Sequence, residues 1–397
     1  MRRAKEGYYH NENSRVRKER PAGARRKFVW GVFDVLMLVL TICVAVALIV
    51  GLLSRVVSPE KSAVVAFAGL FYPIVYVANI FCAFWWVVRW SRWVVLPALC
   101  LLIGAGSMGT IYRSDVNTKP EVVDVSRDDV VVASYNVMNF SDDGAPEGVI
   151  NFERVAEWIN QSGVQLLCLQ EAHFSSGQTF EEFKQSLRRL SYGYFAESLP
   201  EGSDNMGSGF AMFSTWPIVR RGVACADSVA VHSVWADVKI GRDTIRVFNN
   251  HLQSTGISAE ERSSTLHPSI ARDTMAGRKL FAVADKVAEN YRLRAKQAEE
   301  VAEAIAASPH AVVVCGDFND TPTSYVYRTV RGGGLVDAFV EKGRGMEYTF
   351  KGLYNLFRID YVLADEEHFH VKSYASYDEP MSDHKPVVVR LGRIAEE

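Results

Sequence analysis

The sequence predicts an α/β protein in which an all-α transmembrane region precedes one domain of large sheets covered by helices. Two observations carry this prediction. Three long apolar runs follow one another near the N-terminus, at residues 28–53, 63–88 and 93–111, and they are almost free of charge. After residue 128, short apolar runs rich in β-branched residues alternate irregularly with amphipathic stretches, which is typical of strands and helices that pack together.

Each of the three apolar runs is long enough for a membrane-spanning helix, which needs about 20 apolar residues. We therefore predict three transmembrane helices within residues 28–112, after a basic arm at residues 1–27 and before a polar linker at residues 113–128. The basic arm is expected to stay in the cytoplasm. Three crossings then place the domain at residues 129–397 outside the cytoplasm, whereas a re-entrant third run would leave it inside.

Charge divides the chain at the same place as hydropathy. Residues 1–112 hold 14 Lys and Arg against 5 Asp and Glu, whereas the rest of the chain holds 30 against 41. A basic N-terminal part thus precedes an acidic domain. Because affinity for nucleic-acid backbones comes mostly from neutralised phosphates, the acidic domain makes non-specific nucleic-acid binding less favourable.

Within the C-terminal domain, nine apolar runs have the length and composition of strands. They lie at residues 130–136, 164–170, 210–214, 233–238, 244–250, 311–315, 359–363, 370–373 and 386–391. Helices are predicted at residues 152–161 and 270–307, the second being rich in Ala, Lys, Glu and Arg.

Polar residues suited to phosphoester hydrolysis lie at or near the ends of these strands. They are Asn136, Glu171, His251, Asp317, Asn319, Asp360, Asp383 and His384. Carboxylates are ligands for a hard divalent cation, and histidines serve proton transfer or phosphate binding. Taken singly, each is more often a turn former, a helix cap or a structural residue. As a set they predict a metal-dependent site for phosphoester chemistry.

The order of these residues is similar to that in the endonuclease/exonuclease/phosphatase superfamily. The resemblance rests on six segments: Asn136 after its strand, Leu169-Gln170-Glu171, Asn250-His251-Leu252, Gly316-Asp317-Phe318-Asn319, Ile359-Asp360-Tyr361-Val362-Leu363 and Ser382-Asp383-His384-Lys385-Pro386. The resemblance covers about residues 129–393. It implies a four-layered α/β sandwich, with two packed sheets flanked by helices, and a Mg²⁺-dependent hydrolase, with Mn²⁺ as an alternative ion.

The same resemblance implies roles around the metal ion and the attacking water. Glu171 matches the metal-binding glutamate of the family, and Asn136 matches the asparagine that helps to hold the metal and phosphate region. Asp383 matches a carboxylate near the metal. Asp317 and Asn319 match the pair that positions the water and a phosphoryl oxygen.

The histidines and the substrate contacts are assigned in the same way. His384 matches the catalytic histidine of the family, and Asp360 matches its carboxylate partner. His251 matches the second histidine, which contacts the phosphate. Asn250 and Arg294 complete the set as candidate substrate contacts, with packing beside the site as the alternative role for Arg294.

The branch of the family is only partly indicated. Residues 249–252 read Asn-Asn-His-Leu, which disfavours the AP endonucleases, and Arg358-Ile359-Asp360 disfavours the inositol 5-phosphatases. A nucleic acid, a phospholipid head group and a small phosphoester remain open as substrates. The lipid bilayer is an expected partner, and no protein partner is predicted. The competing hypothesis is a membrane-tethered binding module without catalysis, which is disfavoured because none of the matched residues is missing.

Overall fold

The computed structural model describes residues 22–114, 129–141, 151–199, 207–256 and 274–394, and the side chains in these ranges except at residues 22–30, 274–281 and 353–354. The predicted basic arm lies outside the described residues up to residue 21. The predicted linker lies outside them from residue 115 to residue 128.

The N-terminal part is a bundle of helices. In chain order they are α1 (Ala22–Leu53), α2 (Ala63–Leu70), α3 (Tyr72–Val88) and α4 (Val95–Met108), the last preceded by a 3-10 turn at Arg92–Val94. α1, α3 and α4 pack around a small core that includes Leu48, Tyr72 and Cys100. The Tyr72 hydroxyl donates to the Gly104 carbonyl over 2.6 Å. A Cβ at Gly104 would lie 2.5 Å from that hydroxyl, so glycine permits the close packing of α3 and α4.

One described helix is by itself long and apolar enough to cross a membrane. It is α1, whose segment Gly31–Leu53 has a mean hydropathy of 3.1. α2 and α3 reach this standard only together, and the chain bends by 64° between them. The helix at Arg92–Met108 is shorter than a typical span. The prediction of three transmembrane helices is therefore wrong, and the multi-pass topology built on it is not supported.

The rest of the chain contains strands and six further helices among the described residues. In chain order the strands are β1 (Tyr112–Arg113), β2 (Asp129–Asn136), β3 (Leu166–His173), β4 (Tyr192–Glu197), β5 (Ser208–Ser214), β6 (Ile218–Ala226), β7 (Val231–Ile240), β8 (Asp243–His251), β9 (Ala311–Asp317), β10 (Leu335–Asp337), β11 (Gly345–Met346), β12 (Asp360–Asp365), β13 (Phe369–Ser376) and β14 (Val387–Arg393). The helices are α5 (Phe152–Ser162), α6 (Gly177–Ser186), α7 (Thr274–Ala306), α8 (Tyr325–Arg331), α9 (Ala338–Lys342) and α10 (Gly352–Asn355).

Two six-stranded sheets form the sandwich domain. The first sheet has the order β13-β14-β2-β3-β5-β4, and the second has the order β10-β12-β9-β8-β7-β6. Their inner faces share one apolar core. The outer face of the first sheet packs against α5 and α6, and that of the second packs against α7 and α8. The predicted arrangement of two packed sheets flanked by helices is confirmed.

The central strands read as unbroken apolar runs because both of their faces are covered. All eight residues of β2 are buried. The edge strand β6 is mostly exposed or half-buried and contains two arginines, and the sequence did not predict it as a strand. The edge strand β4, also half-buried, was not predicted either.

The helical region is docked on the sandwich domain. The Ser54 hydroxyl, just after α1, donates to the Thr323 carbonyl over 2.7 Å, and the Thr323 hydroxyl donates to the Gly69 carbonyl over 2.9 Å. The Arg358 guanidinium donates to the Thr110 carbonyl over 2.9 Å. In addition, β1 pairs with β11. α2 therefore lies on the sandwich domain, and α3 leaves it after Pro73, which a helix accepts in its first turn but not in its interior.

Candidate active site

Most of the predicted site residues meet at one end of the sandwich, where strands of both sheets terminate. Asn136 ends β2, and Glu171 lies near the end of β3 in the first sheet. In the second sheet, Asp317 at the end of β9 is paired on one side with His251 of β8 and on the other with Asp360 of β12. Adjacent strand ends therefore place three of the predicted side chains in one row.

A carboxylate face joins the two sheets. The Asn136 amide nitrogen donates to Glu171 Oε1 over 2.9 Å and to Asp317 Oδ2 over 3.3 Å. His251 Nε2 lies 3.3 Å from Glu171 Oε1 and 3.9 Å from Asp317 Oδ2. The side chains of His251 and Glu171 remain 24% and 32% exposed, so this face is open to solvent.

A bulge aims Glu171 into the site. The register between β3 and β5 shifts between Leu169 and Ala172, and Glu171 itself has a positive φ of 49°. Such a conformation is unfavourable for a non-glycine residue and is found mostly where function requires it. Because a bulge adds one residue to a strand, it turns the glutamate toward the strand end.

The Asp317 loop is shaped by tight backbone contacts. Gly316 has a φ of 135°, and a Cβ there would lie 2.1 Å from the Asn250 carbonyl oxygen, so the position requires glycine. Asp317 Oδ1 accepts from the Asn319 backbone N–H over 2.7 Å. The Asn319 amide donates to the Leu252 carbonyl over 3.0 Å. Asp317 and Asn319 are thus held side by side.

Asp360 and His384 form a buried pair. Asp360 Oδ2 lies 3.0 Å from His384 Nδ1, and the His384 side chain is only 7% exposed. The Thr349 hydroxyl accepts from the Asp360 backbone N–H over 3.0 Å. The Ser382 hydroxyl accepts from the His384 backbone N–H over 3.0 Å, and the Phe350 ring packs against the imidazole at 5.0 Å.

This pairing changes two pKa values. Burial alone would lower the pKa of His384, but the charges of Asp360 and Asp317 raise it to about 10. Burial and the charge of Asp360 raise the pKa of Asp317 to about 6, against the opposite effect of the histidines. His384 therefore carries a proton at neutral pH, and Asp317 is a carboxylate whose proton affinity suits a base working near neutrality.

The site has the charge balance of a cation-binding site. Four carboxylates converge on it, those of Glu171, Asp317, Asp360 and Asp383. Among the described residues, no Lys or Arg forms an ion pair with Glu171, Asp317 or Asp360. An excess of carboxylate oxygen with no thiolate fits a hard ion such as Mg²⁺ or Mn²⁺.

Among the described residues, one group of side chains brings three possible ligand atoms close enough together to hold such an ion. Asp317, Asp360 and His384 offer ligand atoms within 4.8 Å of one another. In that set, however, His384 Nδ1 is already engaged by Asp360, and a raised pKa opposes metal ligation by this imidazole. Glu171 and Asp383 lie nearby and are each 32% exposed: Glu171 Oε1 is 3.3 Å from His251 Nε2, and Asp383 Oδ1 is 4.0 Å from His384 Nε2.

Three predicted residues have other neighbours than expected. Asn136 Oδ1 accepts from the Met138 backbone N–H over 3.1 Å, so its amide nitrogen, and not its oxygen, faces the carboxylates. Asn250 is fully buried and bonds to the Ser233 hydroxyl and the Cys315 carbonyl. These contacts make Asn250 a link between strands, and the prediction that it contacts substrate is wrong.

Arg294 is also fully buried, on α7. Its Nε donates to the Gln253 carbonyl over 2.6 Å, and its Nη1 lies 3.4 Å from Asp320 Oδ2. The prediction that Arg294 contacts substrate is therefore wrong. The alternative, packing beside the site, agrees with its position under the loop that follows Asp317.

Several buried residues support the site but were not predicted from the sequence. The Gln170 amide donates to Asn249 Oδ1 over 2.7 Å, and the Asn249 amide donates to the Leu169 carbonyl over 2.9 Å, which ties the two sheets together beneath the site. Gln170 and Asn249 are adjacent in sequence to the predicted site residues Glu171 and Asn250, and this adjacency is the signal that could have identified them. Thr349 and Phe350 had no such signal, because they come from a loop distant in sequence.

Comparison with known proteins agrees with this geometry. The model of the endonuclease/exonuclease/phosphatase family matches residues 133–384, and a domain of unknown function matches residues 34–111. A search of curated proteins returns no match.

The chain is similar to several solved structures. An endonuclease/exonuclease/phosphatase from Beutenbergia cavernae is 20% identical, with a TM-score of 0.51 over 67% of this chain and 72% of that one. The catalytic domain of human Nocturnin is 18% identical, with a TM-score of 0.46 over 68% of this chain and 96% of that one. From the extent of the family match, the chain belongs to the endonuclease/exonuclease/phosphatase family, whose members hydrolyse phosphoester bonds and generally use a divalent metal ion.

Proposed function

We propose that this chain is a membrane-anchored, Mg²⁺-dependent phosphoesterase that hydrolyses its substrate by in-line attack of water. The observation that carries the proposal is the meeting of an open carboxylate face with a buried Asp360–His384 pair at one end of the sandwich. In the overall reaction, the water oxygen bonds to phosphorus, the bond from phosphorus to the leaving oxygen breaks, and a proton reaches that oxygen.

Asp317 and Asn319 are proposed to position the attacking water. Asp317 accepts a proton from the water, which its raised pKa favours. The Asn319 backbone N–H, which donates to Asp317 Oδ1, holds that carboxylate in place. The Asn319 amide now donates to the Leu252 carbonyl and to Asp317 Oδ2, and we propose that it exchanges one of these contacts for a phosphoryl oxygen when substrate binds.

The two histidines are proposed to contact the phosphate from different sides. His384 is protonated, so its Nε2–H donates to a phosphoryl oxygen and stabilises the negative charge that develops there. Asp360 orients the ring and stabilises its charged form. His251, which is partly exposed, is proposed to assist the leaving oxygen.

Glu171 and Asp383 are proposed to hold the divalent ion. Mg²⁺ bound there, or Mn²⁺ in its place, would neutralise charge on the phosphoryl oxygens. Asn136 donates to Glu171 and Asp317 and so keeps the two carboxylates close together. We assign Asn136 this holding role.

The helical region is proposed to anchor the enzyme in a lipid bilayer. Only 22% of the apolar window of α1 is buried, which differs from the core helix of a soluble protein. α3 and α4 also expose large apolar side chains, among them Phe81 at 68% and Leu102 at 73%. A contiguous apolar surface of this kind requires a partner other than water.

The catalytic domain is proposed to lie outside the cytoplasm. Ser54, directly after α1, contacts Thr323 of the sandwich domain, so this domain stands at the end of α1 that is opposite to the basic arm. The basic arm is expected to remain cytoplasmic. A reporter fused to the C-terminus that is active only in the cytoplasm would contradict this topology.

The enzymatic proposal is tested with the full chain in lipid nanodiscs. We expect Mg²⁺-dependent hydrolysis of bis-(p-nitrophenyl) phosphate or p-nitrophenyl phosphate that is abolished by chelation and lowered at least about a hundredfold by His384→Gln. His368→Gln is the matched control, because His368 also pairs with an aspartate, Asp365 at 2.9 Å, at the opposite end of β12.

Hydrolysis that survives both chelation and His384→Gln would contradict the proposal. Absence of hydrolysis with these compounds and also with phospholipid, DNA and RNA would favour a membrane-tethered binding module instead.

A further inference from the structure

An apolar pocket lies at the junction between the helical region and the sandwich domain. Its volume is about 100 Å³. Phe71, Ile74 and Ile111 contribute to its wall from the helical region, and Pro322, Met346 and Leu356 contribute from the sandwich domain. The pocket therefore exists only where the two parts of the chain meet.

The lining of this junction pocket is suited to hydrocarbon. Its two charged residues already have partners: Arg358 donates to Asp337 over 2.8 Å, and Glu347 lies 3.9 Å from Lys385. The remaining lining is almost entirely apolar. Since an apolar cavity of roughly 150 Å³ stays dry and takes up benzene, this smaller pocket suits a short stretch of an alkyl chain.

The mouth of the junction pocket continues the apolar surface of the helices. Four lining residues are large and exposed, namely Phe71 at 52%, Ile74 at 61%, Met346 at 49% and Leu356 at 45%. Along α3, this surface goes on to Ile80 and Phe81, which are also exposed. With α1 anchored in a bilayer, as proposed, this exposed apolar surface needs an apolar partner, and lipid acyl chains are the abundant apolar ligand there.

Three lining residues of the junction pocket are close to active-site residues, two along the chain and one through isolated β-bridges. Arg358 stands two residues before Asp360, a Cα separation of at most about 7 Å. Thr321 stands four residues after Asp317, at most about 14 Å away. Phe357, another lining residue, is bridged to Phe350, and Phe350 is bridged in turn to His384.

We propose that the junction pocket binds a hydrocarbon chain of a membrane lipid whose phosphoester is hydrolysed at the neighbouring site. This inference rests on the proposed phosphoesterase function and names its substrate class as a lipid phosphoester. The acyl chain enters from the bilayer side, and the head group reaches the carboxylate face.

A series of alkyl p-nitrophenyl phosphates tests the inference, because only the chain length changes. In nanodiscs, the full chain should hydrolyse the octyl ester with a kcat/KM at least tenfold above that for the methyl ester. Leu356→Trp and Ile74→Trp fill the pocket and should remove this preference while the methyl ester is hydrolysed as before. The matched controls are Val219→Trp, at an exposed position of β6, and Ile80→Trp, at an exposed position of α3.

The outcomes separate the inference from the proposed function. Hydrolysis of all the esters at equal rates overturns the inference and leaves the phosphoesterase proposal standing. A loss of activity in Leu356→Trp that is equal for methyl and octyl esters overturns it as well. Absence of hydrolysis throughout counts against the phosphoesterase proposal, and the junction pocket is then tested by binding.

The binding test uses phosphatidylglycerol with a photoreactive diazirine in its acyl chain, incorporated in the nanodiscs. Mass spectrometry should find the label on the sandwich wall of the pocket, between Met346 and Phe357, and Leu356→Trp should reduce it at least fivefold. Label confined to α1, α3 and α4 would overturn the inference, since the exposed apolar surface of these helices would take up label without any lipid in the pocket.

Discussion

The two histidines of the site stand in opposite surroundings. His384 is buried, bonded to Asp360 and covered by Phe350, and its pKa is raised to about 10. His251 is partly exposed and faces Glu171 and Asp317 across gaps of 3.3 and 3.9 Å. One half of the site thus holds a fixed charge, whereas the other half is open to an ion and a substrate.

The same end of the sandwich domain thus serves two functions, holding a fixed charge and binding an exchangeable ion and substrate. The fixed charge must not titrate or move during the reaction, so the imidazole is paired with Asp360 and covered by the Phe350 ring. The open half must exchange ligands, so its carboxylates keep contact with solvent. Substitutions that alter one half of the site at a time test whether the two halves have separate functions.

The largest effect is expected from Asp360→Asn. The change keeps the shape of the side chain but removes the charge that orients and stabilises protonated His384. We expect kcat to fall by about 10² to 10⁴-fold with the Mg²⁺ requirement unchanged. Asp365→Asn is the matched control, since it carries the other His–Asp pair of β12. Equal losses of kcat in Asp360→Asn and Asp365→Asn would contradict a specific role for the Asp360–His384 pair.

The charge of His384 should also be visible in the stability of the fold. Its folded pKa of about 10 lies above the ordinary value of 6.5, so its stabilising contribution is complete below about pH 6.5 and is lost as the pH rises through about 10. The difference in the free energy of unfolding between wild type and His384→Gln should shrink by a few kcal/mol over this range. Denaturant unfolding in detergent with a chelator measures it, and a constant difference would show that His384 is not charged.

Glu171→Gln probes the open half. Loss of the carboxylate charge should raise the Mg²⁺ concentration for half-maximal activity by about ten- to a hundredfold, with activity restored at high Mg²⁺. The exposed Glu197 at the end of β4 provides the control, Glu197→Gln. A fall in kcat that Mg²⁺ does not restore would assign Glu171 to the chemistry itself.

The smallest effect should come from Asn250→Ala, beside His251 but outside both halves. It removes the acceptor of the buried Ser233 hydroxyl and a side-chain donor to the Cys315 carbonyl, which costs about 1–3 kcal/mol of unfolding free energy. Activity per folded molecule should stay within about twofold of wild type. A raised KM with unchanged stability would restore Asn250 as a substrate contact.

Much of the site was predictable because its signals are local. An apolar β-branched run followed by a polar residue marks a strand and its end, and this pattern located Asn136, Glu171 and Asp317. The edge strands β4 and β6 escaped prediction, because one exposed face allows polar residues and breaks the apolar run. The break between α2 and α3 was not predicted for a related reason. The whole stretch is apolar, and composition does not distinguish a helix in a membrane from α2, whose Phe67 packs against Tyr291 of the sandwich domain.

Composition, periodicity and short motifs were enough to predict the two-part plan, the family and a set of candidate site residues, because each of these signals is local in the chain. Only the tertiary structure decided that His384 is buried and charged while His251 is open, and that Asn250 and Arg294 are internal supports. It also placed the helical region beside the active-site end of the sandwich. The physical reason is that burial, pairing and proximity are set by residues distant in the chain, such as Thr349, Phe350 and Thr323.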